Sequence, residues 1–322
     1  MLSLAEFQKY LESNTGLHPL CHSTFDFRQL DTSVQDRISV QHRGDEKLLE
    51  NRDYRQGLSL INRHNWLTPA AAEIAYAECA EELLGISVSE RAKSLRDLTL
   101  RIQIASGRLL RIIGVRQFMN LEFADLLKSR ELLNTLHEKI NGVRMHSSQV
   151  RIGGVAEDFI KYEYAIRTLR SIDIPEISFD ALQDVGGIST EVKDEWAITG
   201  IPSETHDGAA RMDFDLQKVR SSISKAIAQL EKLQVLEGAV NIQLPKVVRV
   251  PVGQNYKFVE SATGRVGVWL HSDGEKSPLR IGLRAPSAKN LQAVMHFREF
   301  GREEDFVAWL LTIPMCPGEI SR

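Results

Sequence analysis

The architecture of this chain rests on Ser89–Ile113, SERAKSLRDLTLRIQIASGRLLRII. Within it Leu95, Leu98, Ile102, Ala105, Leu109 and Ile112 recur at three- and four-residue spacing, which places one apolar stripe along several turns of a helix starting near Ser89. The other face carries Arg91, Arg96, Arg101 and Arg108. A stripe of that length needs further helices to cover it.

The flanking sequence supplies them. Thr68 and Pro69 read as an N-cap and first helical position for an alanine-rich run to Leu84, closed by Gly85. A further helix is predicted over Asn120–Lys139, stopping before Asn141-Gly142. Another spans Leu216–Leu233, with Val219, Ile223, Ile227, Leu230 and Leu233 on one side. Together they predict a helical bundle. The last third changes character: Asn255–Val259, Val266–His271 and Arg280–Leu283 are β-branched or aromatic runs separated by Ala-Thr-Gly and Ser-Asp-Gly-Glu turns, a small antiparallel meander within residues 251–286. Ser287 is read as the cap of a helix through Val294, followed by a Pro- and Gly-containing tail from Ile313. After a helix-like start at Leu4–Leu11, Gly16–Gln41 reads as short strands and loops. The fold class expected is mainly α with a smaller antiparallel β part (α+β): a strand and loop region over 1–67 and a helical core over 68–322, forming one domain.

Composition limits the function. With 322 residues and 43% hydrophobic content the chain can fill a sizeable core, and a net charge of -3 gives no electrostatic reason to expect nucleic acid. Charges interrupt every long apolar segment, so no membrane-spanning helix is expected, and the N-terminus has neither secretory nor Arg-rich transit character. Cys21, Cys79 and Cys316 form no Cys-x-x-Cys pair, which argues against a cluster held by this chain alone. No spaced-glycine phosphate loop is present, so direct NAD binding is unsupported.

The remaining candidates are weak one by one. They are His18-Pro19-Leu20-Cys21-His22, Arg63-His64-Asn65-Trp66, and Met145-His146 ahead of Arg151-Ile152-Gly153-Gly154. Pro19 favours an extended loop over a helix face for the histidine pair, and the glycine pair allows close approach of another chain or ligand.

Read in order, these segments resemble the 49 kDa-type subunit of respiratory complex I, built on the large subunit of nickel-iron hydrogenases. The resemblance rests on His42-Arg43-Gly44-Asp45-Glu46-Lys47 with Glu50-Asn51-Arg52-Asp53-Tyr54-Arg55-Gln56, on Glu82-Leu83-Leu84-Gly85-Ile86, and on Met145-His146 with Val150 to Val155. Its densest block is Glu260-Ser261-Ala262, Ser272-Asp273-Gly274 and Arg284-Ala285-Pro286-Ser287 with Asn290-Leu291-Gln292.

The resemblance implies a hydrogenase-like bundle without nickel, since the two positions of the metal-binding cysteine pairs read Arg63-His64-Asn65-Trp66 and Pro314-Met315-Cys316-Pro317. It further implies a subunit of a membrane-associated NADH:quinone oxidoreductase with quinone as substrate. Partners would be a small iron-sulfur subunit, other peripheral-arm subunits and the membrane arm, on the cytoplasmic side of a bacterial inner membrane. His22 would be the catalytic, quinone-contacting histidine, and Trp66 would stand at the headgroup position. Arg63, His146 and Arg151 would lie near the partner's iron-sulfur cluster. Three departures stand out: Trp66 replaces a tyrosine, Gln117 falls near the family's acidic helix residue, and Gln149 replaces a second tyrosine. An indole donates a hydrogen bond without delivering a proton, and a glutamine does not ionise. The alternatives are a non-catalytic structural paralogue or a subunit of a related hydrogenase-type complex.

Overall fold

A computed structural model describes residues 3–13, 43–147, 149–159 and 161–320. The chain passes through α1 (Leu4–Ser13), α2 (Asp45–Glu50), α3 (Tyr54–Ile61), α4 (Pro69–Leu83), α5 (Glu90–Phe118) and α6 (Ala124–Asn141). The short hairpin β1 (Val150–Arg151) and β2 (Gly154–Val155) follows, then α7 (Tyr162–Arg170), α8 (Thr190–Glu195) and α9 (Gly208–Val235). Strands β3 (Gly253–Glu260), β4 (Arg265–Ser272) and β5 (Arg280–Arg284) precede α10 (Pro286–Phe297), α11 (Glu303–Thr312) and α12 (Pro317–Ile320). The fold is mainly α with small antiparallel sheets.

Helix α5 is the central rod, packed against α9, α6 and α4. Ser89 caps it by accepting from Ala92 N at 3.1 Å, and all six residues of the predicted stripe are buried. The arginine face departs from a solvated one. Arg96 and Arg108 are only 3% and 4% exposed, because other helices cover that side too. Their charges are compensated from within: Arg96 pairs with Glu81 of α4, and Arg108 and Arg111 both pair with Asp215 of α9.

The α4 start also differs from expectation. Thr68 makes no side-chain cap; Asn65 Oδ1 instead accepts from Leu67 N (2.9 Å) and Thr68 N (2.7 Å). Gly85, at φ 66°, follows the helix end as read from sequence. Helix α6 begins later than expected because Asn120, at φ 55°, terminates α5 while Leu121 N bonds back to Arg116 O at 2.8 Å.

The meander forms in the order β3-β4-β5, with Val259 opposite Val266 and Leu270 opposite Ile281. Its outer edge is covered by α2: Glu46 and Glu50 accept from Leu283 N (2.8 Å) and Ile281 N (3.3 Å). Residues 45–61, within the expected strand and loop region, are thus largely helical. The strands predicted over Gly16–Gln41 lie outside the described residues. Ser287 does not cap α10; its hydroxyl bonds to Glu319 of the tail, which is buried and helical at 317–320.

Candidate functional site

A buried ion pair positions one wall of the cleft that gathers three of the predicted residues. Arg96 Nη1 and Nη2 bind the Glu81 carboxylate at 3.0 and 2.5 Å, and Arg96 also donates to Arg151 O (2.7 Å) and Gly154 O (2.9 Å). Glu81 in turn accepts from Gly153 N at 2.7 Å. This pair therefore clamps the β1–β2 hairpin onto α4 and α5. Gly154 is required here: at φ 143°, a Cβ would stand 2.1 Å from Val240 O. The close approach expected of the glycine pair is made by the chain's own 240–242 segment, with Ile242 N bonding to Gly153 O at 2.9 Å.

Between this hairpin, the end of α3, α4, the segment after α6 and residues 241–244 lies a cleft of about 700 Å³. Three of the predicted residues, Arg63, His146 and Arg151, line it together with Glu73 and Asn62. Arg63 and Arg151 are exposed, whereas Glu73 is 2% exposed. Asn62 Nδ2 donates to Glu73 Oε1 at 2.7 Å, and Oε2 has no hydrogen-bond partner among the described residues. Burial raises the Glu73 carboxyl to about 8, against the opposing effects of Asn62, Ser147 and the cations Arg151 and Arg63. Burial and the Arg63 charge lower His146 below the ordinary histidine value, so it is a neutral imidazole at pH 7, and its Nδ1 also lacks a partner among the described residues. The cleft thus presents two exposed cations beside a buried carboxyl whose proton affinity is raised and a half-buried imidazole whose proton affinity is lowered.

A second polar region lies where the hydrogenase resemblance placed the cysteine pairs, and the two segments do meet. Trp66 N donates to Cys316 Sγ at 3.1 Å, and Asn65 Nδ2 donates to Glu319 Oε1 at 2.7 Å. Glu319 Oε2 accepts from Thr263 Oγ1 (3.1 Å), from Ser287 N (3.3 Å) and from the Ser287 hydroxyl. Burial pushes the Cys316 thiol up to about 12. One protonated thiol among an amide, hydroxyls and a fully bonded carboxyl does not suit nickel, which in that fold takes four thiolates. Among the described residues no three His, Cys, Asp or Glu side chains converge on a metal position.

Trp66 is not in the cleft of Arg63 and His146. It lines a neighbouring cavity of about 260 Å³ with His137 and Arg130, and its Nε1 donates to Arg63 O at 3.1 Å. Gln149 Nε2 donates to Ile140 O at 2.9 Å, and Gln117 Oε1 accepts from the Tyr10 hydroxyl at 3.2 Å. His22 lies outside the described residues. The residue that sequence reasoning misses is Glu73. A signal for it exists: α4 is apolar on every side, from Ala70 through Ala77, so an acid within that run has no solvated face to occupy.

Comparison with known proteins places the fold in a class. The fold matches that of a chain in the membrane-bound sulfane sulfur reductase, an archaeal respiratory membrane complex, with a TM-score of 0.78, 24% identity, and coverage of 89% of this chain and 90% of that one. The profile of the family described as respiratory-chain NADH dehydrogenase, 49 Kd subunit, matches residues 220–322. A D-type subunit of the NADH-quinone oxidoreductase of Salinispora tropica is 30% identical, covering 95% of this chain and 91% of the relative. The corresponding subunit of Rhodospirillum rubrum is 28% identical over the full length of both. The chain belongs to the family of D-type, 49 kDa subunits of NADH-quinone oxidoreductase. Among the described residues no helix is long and apolar enough to cross a membrane.

Proposed function

We propose that this chain is the subunit of a membrane-associated NADH:quinone oxidoreductase whose Arg63, His146 and Arg151 face the iron-sulfur cluster of a small partner subunit. The carrying observation is their convergence on one cleft although they lie far apart in sequence. Two exposed guanidiniums suit a polyanionic group, and local charge and hydrogen bonds set a cluster's potential. The cluster supplies electrons; this chain orients it and adjusts the charge around it. His22 and Trp66 belong to the quinone end, His22 donating to the reduced oxygen and Trp66 offering ring surface. The complex would stand on the cytoplasmic side of a bacterial inner membrane, with further peripheral-arm and membrane-arm subunits as partners.

The test is quinone reduction by the purified complex carrying His22→Ala or Trp66→Tyr. Loss in His22→Ala supports the assignment, and unchanged turnover in both variants overturns it. A second reading, a structural paralogue that assembles without reducing quinone, is favoured by one observation: the Trp66 indole N–H is bonded to the Arg63 carbonyl. Under that reading the parent complex assembles but shows no quinone reduction.

A further inference from the structure

A third arginine joins Arg108 and Arg111 in the core, and its charge is not answered in the same way. Arg211, in the first turn of α9, is 1% exposed. Its Nε donates to the Thr312 hydroxyl of α11 at 2.8 Å, while Nη1 and Nη2 have no hydrogen-bond partner among the described residues. About one turn earlier on α11, Trp309 is 7% exposed and its Nε1 likewise lacks a partner among the described residues. The two side chains close on one place. A Cβ built on Gly186 would stand 3.0 Å from Arg211 Nη2 and 3.2 Å from Trp309 Cδ1, the carbon bonded to Nε1. Buried guanidinium and indole N–H groups are ordinarily hydrogen-bonded, so donors from two helices converging without an acceptor point to a ligand.

Charge narrows its chemistry. Asp215 pairs with both Arg108 and Arg111, and Arg111 Nη2 donates to Thr312 O at 2.6 Å, so all three guanidiniums share one core region. Asp207 is the other carboxylate acting on Arg211, but its oxygens accept from the backbone, Oδ1 from Ala210 N (2.8 Å) and Oδ2 from Asp184 N (2.9 Å). Burial lowers Arg211 to about 9, which leaves it charged at neutral pH. His206, also close to Arg211, brings no negative charge, and its Nδ1 donates to Glu204 O. Three cations against two carboxylates leave one positive charge in excess, which water can solvate but not neutralise. Trp309 and Gly187 also line an open cleft of about 470 Å³, where Glu195 and Asp305 disfavour a multiply charged anion. Ala308, only 2.9 Å from the same Cβ position, keeps the space small enough to favour a monoatomic ion.

We propose that Arg211 and Trp309 form a binding site for one small monovalent anion of the halide class, which accepts from the guanidinium and the indole N–H and neutralises the arginine cluster behind α11. The anion closes the contact between the start of α9, α11 and the loop at Gly186. No covalent step is involved.

The experiment unfolds the full chain thermally in chloride, bromide, sulfate or gluconate at one fixed ionic strength, and locates bromide by anomalous X-ray scattering. The midpoint should rise saturably with chloride or bromide relative to gluconate, with no such gain from sulfate. One bromide peak should lie against the Arg211 Nη atoms and Trp309 Nε1. Arg211→Gln should lose the halide response. Trp309→Phe, which keeps a ring and removes the N–H, should raise the half-saturating chloride concentration by about tenfold, the worth of one hydrogen bond to a charged group. Absence of bromide at Arg211, with water in its place, overturns the site, as does a halide response that persists in Arg211→Gln. An equal gain from sulfate overturns the monovalent assignment. Should Arg211→Gln fail to fold, Trp309→Phe decides the matter: a half-saturation unchanged from the parent overturns the site.

Discussion

Two buried carboxyls, Glu73 and Glu319, divide this molecule into a region held ready and a region sealed. Both are at most 2% exposed, and burial raises the proton affinity of each. Glu319 is bonded through both oxygens to Asn65, Thr263 and Ser287, and it ties the tail to α10 and to the loop before α4. Glu73 accepts from the Asn62 amide through Oε1 and has a cleft in front of it. Saturated hydrogen bonding makes the Glu319 region scaffold, whereas an incomplete set beside surface cations leaves a group able to change state.

The contrast can be broken most severely at the clamp between α4, α5 and the hairpin. Arg96→Ala leaves Glu81 charged and buried, so stability should fall by about 3–5 kcal/mol in urea unfolding, with the cleft wall at Arg151 released. Next, Glu319→Leu orphans Asn65, Thr263 and Ser287 and should cost about 2–3 kcal/mol. Glu319→Gln, which keeps an acceptor oxygen, should cost less by the same assay.

Glu73→Gln should act in the opposite direction. The folded chain holds a proton to about pH 8 that the unfolded chain has released near the ordinary carboxyl value of 4.5. Parent stability therefore declines with rising pH between those limits, by at most about 1.4 kcal/mol per pH unit. The glutamine variant lacks this decline, so unfolding midpoints of parent and variant should diverge progressively from pH 5 to pH 8. A parallel pair of curves would contradict the buried-neutral assignment. The smallest effect is expected for His146→Ala: a half-buried ring whose Nδ1 lacks a partner among the described residues should cost no more than about 1 kcal/mol, however large its effect on the cleft.

What sequence reveals here follows the same division. The α5 stripe, the α9 stripe and the alternating strands β3 and β5 are legible because burial repeats with the period of the element. The burial of Arg96, Arg108 and Arg111 is not, since their compensating acids, Glu81 and Asp215, come from other helices. Ser287 illustrates a local rule losing to a distant partner: its position invites capping, but Glu319 claims the hydroxyl. Helix α11 escapes a reading by periodicity because Phe306 through Thr312 are buried on every side, leaving no amphipathic period to detect. At the site, Arg63, His146 and Arg151 emerge from motif order, while Glu73 requires noticing that the first half of α4, Ala70 through Ala77, is buried on every side.

The contact of α2 with β5 has a consequence for the chain before it meets any partner. An edge strand offers its free N–H row as a template for another strand, the route by which subunits awaiting assembly polymerise. Glu46 and Glu50 occupy the donors of Leu283 and Ile281, and they place carboxylates where an incoming backbone would have to lie. The two acids serve as a safeguard against self-association: replacing both with alanine should leave the bundle folded and make the unassembled protein prone to aggregate.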